Sequence, residues 1–436
     1  MNAVELVKKA GVVGAGGAGF PTHVKLAAKA DTVLANGAEC EPLLFSDQSV
    51  MLGRAAEIVD GLKTVMKAVG AERGIICVKE KNKEAVKALE KHLTKNISLF
   101  GLGNFYPAGD EQIMVYEATG RIVPEAGIPL NVGVVVQNVA TLANIARAQN
   151  GEAVTSRIVT IGGEVKNPGV HAVPVGTPVA DAIARCGGPL IENCKLLLNG
   201  PMMGRLGDPQ KDVVTKTTSG IFLLPAQHPL VMRLSRPLPV DIRISRGACE
   251  QCRYCTDFCP RYLQGHALQP HKIMRVINEQ REPEAETVTN SFLCCECGVC
   301  DLFACPIMLS PRRIFREFKK SLGARGVRFP QQKKEYAADI HRDYRRVPKD
   351  KLLRRLDVAR YEMEPVFHDA PWEVDAVNIP MQMHLGAPAT PVVKTGEKVK
   401  RGQLIAEIPA GKMGANVHAS IGGTVTAVNG LIRIER

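Results

Sequence analysis

The sequence predicts a multidomain chain that combines α/β and α+β units, and three observations predict it. The chain has 436 residues, enough for about three domains. Helix and strand signals alternate through roughly the first 150 residues, then give way to short, turn-punctuated β runs. Nine of the 13 cysteines fall between Cys249 and Cys305. With 45% hydrophobic and 23% charged residues the chain can bury cores and is not disordered. No apolar run approaches the roughly 18 residues of a membrane helix; the best stretch, 132–146, is broken by Gln137, Asn138 and Asn144. The start, MNAVELVKKAG, has no apolar signal core, so a soluble, cytoplasmic protein is expected.

The elements follow in order. A short helix over residues 3–10 precedes the loop Gly14-Ala15-Gly16-Gly17-Ala18-Gly19-Phe20-Pro21, and a helix over 22–30 follows it. Residues 31–38 read as a strand leading into Glu39-Cys40-Glu41-Pro42. A helix over 47–68, a strand over 74–78, a helix over 81–91, a strand over 128–136 and a helix over 138–148 continue the alternation. From Arg157 short β runs, the turn Asn167-Pro168-Gly169 and one helix over 179–186 make a compact α+β module. The cysteine segment, roughly 240–325, reads as mostly helical between its motifs. Residues 319–361 are strongly basic, and their helical parts wrap or link. The last stretch, 378–436, reads as turn-punctuated strands.

The cysteines carry the strongest chemical signal. Cys249-x2-Cys252-x2-Cys255-x3-Cys259-Pro260 is the bacterial ferredoxin run, in which three close thiolates hold one cubane and the fourth reaches across to the other. Cys294-x2-Cys297-x2-Cys300-x4-Cys305-Pro306 repeats it with a last spacing one residue longer and an extra Cys295. The swap assigns Cys249, Cys252, Cys255 and Cys305 to one 4Fe-4S cluster and Cys259, Cys294, Cys297 and Cys300 to the second; Cys294 and Cys295 compete for one place. Structural zinc uses separated C-x2-C pairs, and two triplets each closed by Cys-Pro do not divide that way. A secreted disulfide framework would spread its cysteines. Cys40, Cys77, Cys186 and Cys194 lack ligand spacing and read as buried or free thiols. His266 and His271 read as helix residues, since eight cysteines suffice.

Gly14, Gly16 and Gly19 satisfy G-x-G-x-x-G, which alone is weak. A helix precedes the loop where a dinucleotide fold needs a strand, and the next strand ends in Asn36-Gly37-Ala38-Glu39. Two readings remain from these residues: a phosphate cradle of backbone N–H groups and a tight helix–helix turn. GAGGAGFPTHVK followed by NGAECEP resembles the flavin-binding signature shared by the complex I flavoprotein subunit and the RnfC family. The resemblance implies that Gly14, Gly16, Gly17, Gly19 and Lys25 line an FMN site, and that Asn36, Glu39 and Glu41 hold its ribityl chain and flavin edge. It matches Asn138 and Thr141 to a helix start of that site, and Gly109 and Glu111, in Tyr106-Pro107-Ala108-Gly109-Asp110-Glu111, to a loop over the flavin. Ala38 stands where family members often carry Asp.

The resemblance covers nearly the whole chain. It implies an FMN/NADH-binding α/β domain (1–153), an SLBB module of β-grasp-like fold (154–235), and a helical ferredoxin-like domain with two 4Fe-4S clusters (236–325). A basic linker with helices (326–377) and an RnfC-like barrel-sandwich hybrid (378–436) follow. RnfC carries that hybrid first, and here it is last. This order is similar to the cobalamin reductases of propanediol-utilising bacterial microcompartments. The implied activity is NADH-dependent oxidoreduction, electrons passing through FMN and two clusters to an acceptor, without a general acid or base. Cobalamin is the expected acceptor, with a cobalamin adenosyltransferase and microcompartment shell proteins as partners; ferredoxin or flavodoxin in an RnfC-type role is the alternative.

The net charge of +12 admits acidic partners. The basic stretch 312–360 is read as a solvated face, with docking of an acidic carrier as the other reading. It matches no nucleic-acid motif. Gly411-Lys412-Met413 lacks a biotin or lipoate setting and reads as a structural turn. A non-enzymatic electron conduit would keep the clusters without oxidising NADH. A zinc-containing nucleic-acid binder would be colourless and salt-sensitive.

Overall fold

The computed structural model describes residues 2–279, 284–330, 335–364 and 366–436. At the N-terminus α1 (Ala3–Lys9) is capped by Asn2, whose side chain accepts the Glu5 N–H at 2.9 Å. The glycine loop closes on a bridge between Val13 and Pro21 and leads into α2 (Thr22–Leu26). Then come β1 (Thr32–Gly37), α3 (Ser46–Gly53), α4 (Ala55–Val69), β2 (Arg73–Lys79), α5 (Lys83–Glu90), β3 (Ile97–Leu102), β4 (Phe105–Tyr106), α6 (Glu111–Thr119), β5 (Val134–Asn138) and α7 (Val139–Gln149).

Strands β3, β2, β1 and β5 form, in that order, a parallel sheet. Its strands are apolar on both faces, as a parallel sheet covered by helices requires. Val33, Ala35, Ile76 and Val78 pack under α4 and α7, while Leu34, Ile75, Cys77 and Val134 pack under α6. Gly61 lets α4 approach α7 closely, since a Cβ there would lie 2.0 Å from the Leu142 carbonyl oxygen.

Two expectations fail here for stated reasons. The single helix over 47–68 is broken between α3 and α4 at Arg54, whose buried guanidinium pairs with Asp369, 315 residues away. The strand over 128–136 starts only at Val134. Pro129–Val132 is a 3-10 turn that ends at Gly133 with φ +75°, a left-handed backbone that breaks the extended run just before β5.

The second module contributes β6 (Ser156–Gly163), β7 (Gly169–Pro174), α8 (Val179–Arg185), β8 (Cys194–Leu198), β9 (Arg205–Gly207) and β10 (Gly220–Pro225). With a later strand they form a six-stranded sheet covered by α8. Short helices follow: α9 (Pro229–Ser235), α10 (Leu238–Ala248), α11 (Tyr254–Asp257), α12 (Pro260–Leu263), α13 (Pro270–Glu279), α14 (Ala285–Thr289) and α15 (Pro311–Ala324). A π-helical turn, Val299–Ala304, carries Cys300, the kind of local widening found at functional sites.

Part of the basic stretch is a strap, while Arg316, Lys320, Arg325, Arg328, Lys351, Arg354 and Arg360 stay exposed, as a solvated face would have them. Arg312, Arg342 and Lys349 are buried. Arg342 pairs with Glu117 and lies over the Tyr116 ring. Strand β11 (Val347–Pro348) pairs with β4, and α16 (Lys349–Arg355) buries Leu352 and Leu353. Strand β12 (Phe367–His368) joins the edge of the six-stranded sheet beside β7.

The chain ends in two small sheets built from β13 (Ala376–Pro380), β14 (Thr390–Pro391), β15 (Lys398–Val399), β16 (Leu404–Glu407), β17 (Val417–His418), β18 (Gly423–Val428) and β19 (Leu431–Glu435). Their core takes in Val175 of the second module. The buried Lys216 ammonium donates to the Gly11 carbonyl at 2.6 Å and to that of Asn416 at 2.7 Å, and the Leu385 N–H donates to the Gly19 carbonyl.

Candidate redox site

The parallel sheet has its topological switch point between β1 and β5, and a ligand crevice is expected beyond the carboxyl ends of those strands. Asn36, one residue from the end of β1, pairs with Asn138, which ends β5. The Asn36 amide donates to the Gly109 carbonyl at 2.8 Å, and Asn138 accepts the Ala140 N–H as the cap of α7. The glycine loop lies over this opening, since a Cβ on Gly16 would touch Asn138. Its fixed points are Ala15, whose N–H donates to Thr141 Oγ1 at 2.9 Å and whose carbonyl accepts Arg157 at 2.7 Å, and Gly14, whose N–H donates to the Phe20 carbonyl.

Between Ala15 and Phe20, Gly16, Gly17 and Ala18 are exposed. Gly17 has φ +122° and open space where a side chain would stand. Among the described residues the N–H groups of these three take no intramolecular acceptor. Three adjacent free amides fit the phosphate of FMN, and the loop reads as a cradle. Lys25 stands at the same opening, donating to Glu111 Oε1 at 2.9 Å and to the Val136 carbonyl at 3.0 Å.

Three expected residues are engaged elsewhere. Gly19 packs on Thr217 and His384. The Glu39 carboxylate accepts the Asp47 and Gln48 N–H groups and caps α3. Glu41 accepts the Met202 and Met203 N–H groups, and burial pushes its carboxyl up to about 8. The sequence reading missed Asp47, which accepts Asn138 Nδ2 at 2.7 Å and is raised to about 7 by burial and by the Glu39 charge. It missed Arg157 and Lys216 too, which reach the loop from the next module and carry no local signal.

The clustered cysteines line two cavities. Cys249, Cys252, Cys255 and Cys305 surround one of about 270 Å³, and Cys252 is exposed. Cys259, Cys294, Cys295, Cys297 and Cys300 surround a tighter second one. Cys305 and Cys259 thus each stand with the other motif's triplet, the division expected when two cubanes exchange their fourth ligands. Among the described residues no three ligand side chains converge on a point that one ion would fill. The Glu296 and Leu309 N–H groups donate to the sulfurs of Cys294 and Cys305, both at 3.3 Å, contacts of the kind that tune cluster potentials. Burial pushes the thiols of Cys255, Cys259 and Cys294 up to about 12, so a metal's charge is what would ionise them. Cys294 packs against the apolar cluster that contains Cys259 and Cys305, whereas Cys295 packs against the one that contains Cys297. His266 hydrogen-bonds the Val123 carbonyl and His271 the Thr256 hydroxyl.

The second cavity faces the crevice. Tyr106, two residues before Ala108-Gly109, donates its hydroxyl to the Cys297 carbonyl at 2.6 Å. Asp110 forms a two-pronged buried pair with Arg261, at 2.7 and 2.8 Å, and Arg261 is part of that cavity's wall. The cavity holding Cys297 is therefore proximal to the crevice. The one holding Cys252 is distal and opens to solvent.

This arrangement matches known proteins along its length. Residues 7–147 match the Nuo51 FMN-binding domain, 158–206 the SLBB domain, 248–310 the 4Fe-4S dicluster domain, and 369–434 the RnfC barrel sandwich hybrid domain. The cobalamin reductase PduS of Salmonella typhimurium is 42% identical over 427 residues, 98% of this chain and 94% of that one. The chain belongs to the PduS cobalamin reductase family. A component of the Na+-translocating ferredoxin:NAD+ oxidoreductase complex of Acetobacterium woodii is 38% identical over 268 residues, 60% of this chain and 58% of that one. The structure of an NAD+-reducing nickel–iron hydrogenase shares the fold, with TM-score 0.50 and 20% identity over 77% of this chain and 63% of that one. The protein is an iron–sulfur flavoprotein and an NADH-dependent oxidoreductase, with an FMN-binding domain and a 4Fe-4S dicluster domain. Among the described residues no helix is long and apolar enough to cross a membrane.

Proposed function

We propose that this chain takes electrons from NADH at the crevice between β1 and β5 and delivers them, through the proximal and then the distal thiol cavity, to cobalamin. Bound there, FMN would convert electron pairs to single electrons and the two 4Fe-4S clusters would carry them singly. The observation that carries this reading is the continuity from Asn36 and Gly109 through Tyr106 and Cys297 to the solvent-open Cys252. The chain's own residues position and insulate. Gly16–Ala18 present amides, Lys25 and Glu111 fix a charge pair at the mouth, and Asn36 and Asn138 hold the strand ends. Cys249, Cys252, Cys255 and Cys305 hold the distal cluster, and Cys259, Cys294, Cys297 and Cys300 the proximal one. Arg261 and Arg312 on the proximal wall offset the negative charge of four thiolates and keep water out. An adenosyltransferase and a microcompartment shell are the partners this reading implies.

Exchange with ferredoxin or flavodoxin is the second reading. It is favoured by the exposed Arg253, Lys272 and Arg275 near the distal opening, whose charges lower the pKa of His271 on its wall after the larger effect of burial. The test is anaerobic purification, a visible spectrum and addition of NADH, then of cob(III)alamin. A brown protein with FMN and about eight irons, bleached by NADH and reoxidised by cobalamin, supports the proposal. A protein that bleaches but is reoxidised only by flavodoxin favours the second reading. No bleaching by NADH overturns both.

A further inference from the structure

A pocket outside the electron path is lined by arginine. Strand β9, α9, the π-helical turn and the start of α15 enclose about 140 Å³. Its wall carries five guanidinium groups, from Arg205, Arg233, Arg312, Arg313 and Arg316, against the single carboxylate of Asp301. Asp301 is 1% exposed and is shared by Arg233 and Arg312. Beyond the wall, Asp241 is likewise shared by Arg313 and Arg236, and Glu296 by Arg316 and Lys319, while Arg205 pairs with Asp212. Three carboxylates therefore each serve two cations, and the pocket keeps an excess of positive charge.

Two further features belong to this wall. Arg233 is 7% exposed, and its Nε is buried without an acceptor among the described residues. Helix α15 starts just after Ser310, which lies on the pocket wall, and has no acidic residue in its first turn, so the positive end of its dipole is not offset locally. Neutralising the thiolates does not explain the set. Of the five arginines only Arg312 lines a thiol cavity.

We propose that this pocket binds a phosphate group of a ligand. Guanidinium forks match phosphate oxygens geometrically, and the charge excess matches a phosphate's charge. Because Arg312 faces both the pocket and the proximal cavity, an anion bound here makes reduction of the adjacent centre harder. The phosphate belongs either to a free phosphate compound or to the phosphodiester of a nucleotide-bearing acceptor, and the second source rests on the cobalamin reading above.

The test is calorimetric titration of the anaerobically purified holoprotein with pyrophosphate at low salt, followed by a redox titration of the clusters with and without it. One site per chain is expected. In the Arg205→Ala/Arg316→Ala variant the Kd should rise at least tenfold, with one cluster's potential falling on binding in the wild type only. Both side chains are more than half exposed, and unchanged iron content verifies that the variant folds. Absence of binding, or an unchanged Kd in the variant, overturns the proposal. Displacement of pyrophosphate by cobalamin but not by cobinamide, the corrinoid without the phosphate-bearing nucleotide, assigns the site to the acceptor; displacement by neither assigns it to a free phosphate compound. Failure of cobalamin reduction leaves the pyrophosphate result standing by itself.

Discussion

Replacing Asp110 with Asn tests the joint between crevice and proximal cavity. The Asp110–Arg261 pair is two-pronged, at 2.7 and 2.8 Å, and its side chains are 15% and 7% exposed. Asn retains the cap of α6, because its amide oxygen can still accept the Gln112 and Ile113 N–H groups that Asp110 accepts now. What it removes is the charge, which leaves the buried Arg261 without its carboxylate partner. Removing one member of such a pair costs about 3–5 kcal/mol. A chain of several domains does not unfold in one step, so the assay is hydrogen exchange of the α6 amides and of residues 105–110. Their opening free energy should drop by about that amount in Asp110→Asn, and the double variant with Arg261→Met should recover part of it.

Burial pushes the Asp110 carboxyl up, but the Arg261 charge and the hydrogen bonds outweigh it and the net shift is downward. The pair's contribution is therefore complete above the unfolded carboxyl's pKa of about 4 and is lost as pH falls through the lower folded value. A change below about 0.5 kcal/mol, the scale of an ordinary surface substitution, or strictly additive single variants, would refute the reasoning.

Further outcomes follow from other contacts. Cys305→Ser should lose about four of eight irons and leave the same electron paramagnetic resonance signal as Cys249→Ser; a match to Cys297→Ser instead would show that the fourth ligands are not exchanged. Gly61→Ala pushes a Cβ to 2.0 Å from the Leu142 carbonyl and should destabilise the α4–α7 contact by about 1–3 kcal/mol, read as a lower temperature of flavin release. With NADH as donor, reduction of acidic flavodoxin should slow as salt is raised while that of basic cytochrome c quickens, because Arg253 lines the distal opening and the exposed Lys272 and Arg275 lie close to His271 on its wall. Equal salt slopes would place electron exit elsewhere.

The two cysteine motifs stood out because cluster ligands sit at fixed short spacings, and Cys259 and Cys305 each line the cavity of the other motif's triplet. Three of the four parallel strands, β1, β2 and β5, were legible as short apolar runs in an α/β alternation. The break at Arg54 was not, because its cause is Asp369, far along the chain. Strand β3 and helix α6 escaped notice between the 81–91 helix and the 128–136 strand, where Pro107, Gly109, Gly120, Pro124 and Gly127 read as loop. The motif residues Tyr106 and Asp110 were visible as a loop, but their link to Cys297 and Arg261 is a tertiary fact. Glu39 and Glu41 were expected at the flavin on the strength of the family resemblance alone. Their oxygens are spent on the N–H groups of Asp47, Gln48, Met202 and Met203.

The last strands of the chain hold its first loop. Leu385 bonds Gly19, and Lys216 bridges Gly11 and Asn416, so the small two-sheet unit buttresses the glycine turn from outside. Such a buttress depends on where it sits, and its place in the gene is immaterial. Evolution could therefore splice it to either end of the reading frame without rebuilding the turn. A circular permutant that begins at β13 and rejoins the old termini through a flexible linker should retain its flavin.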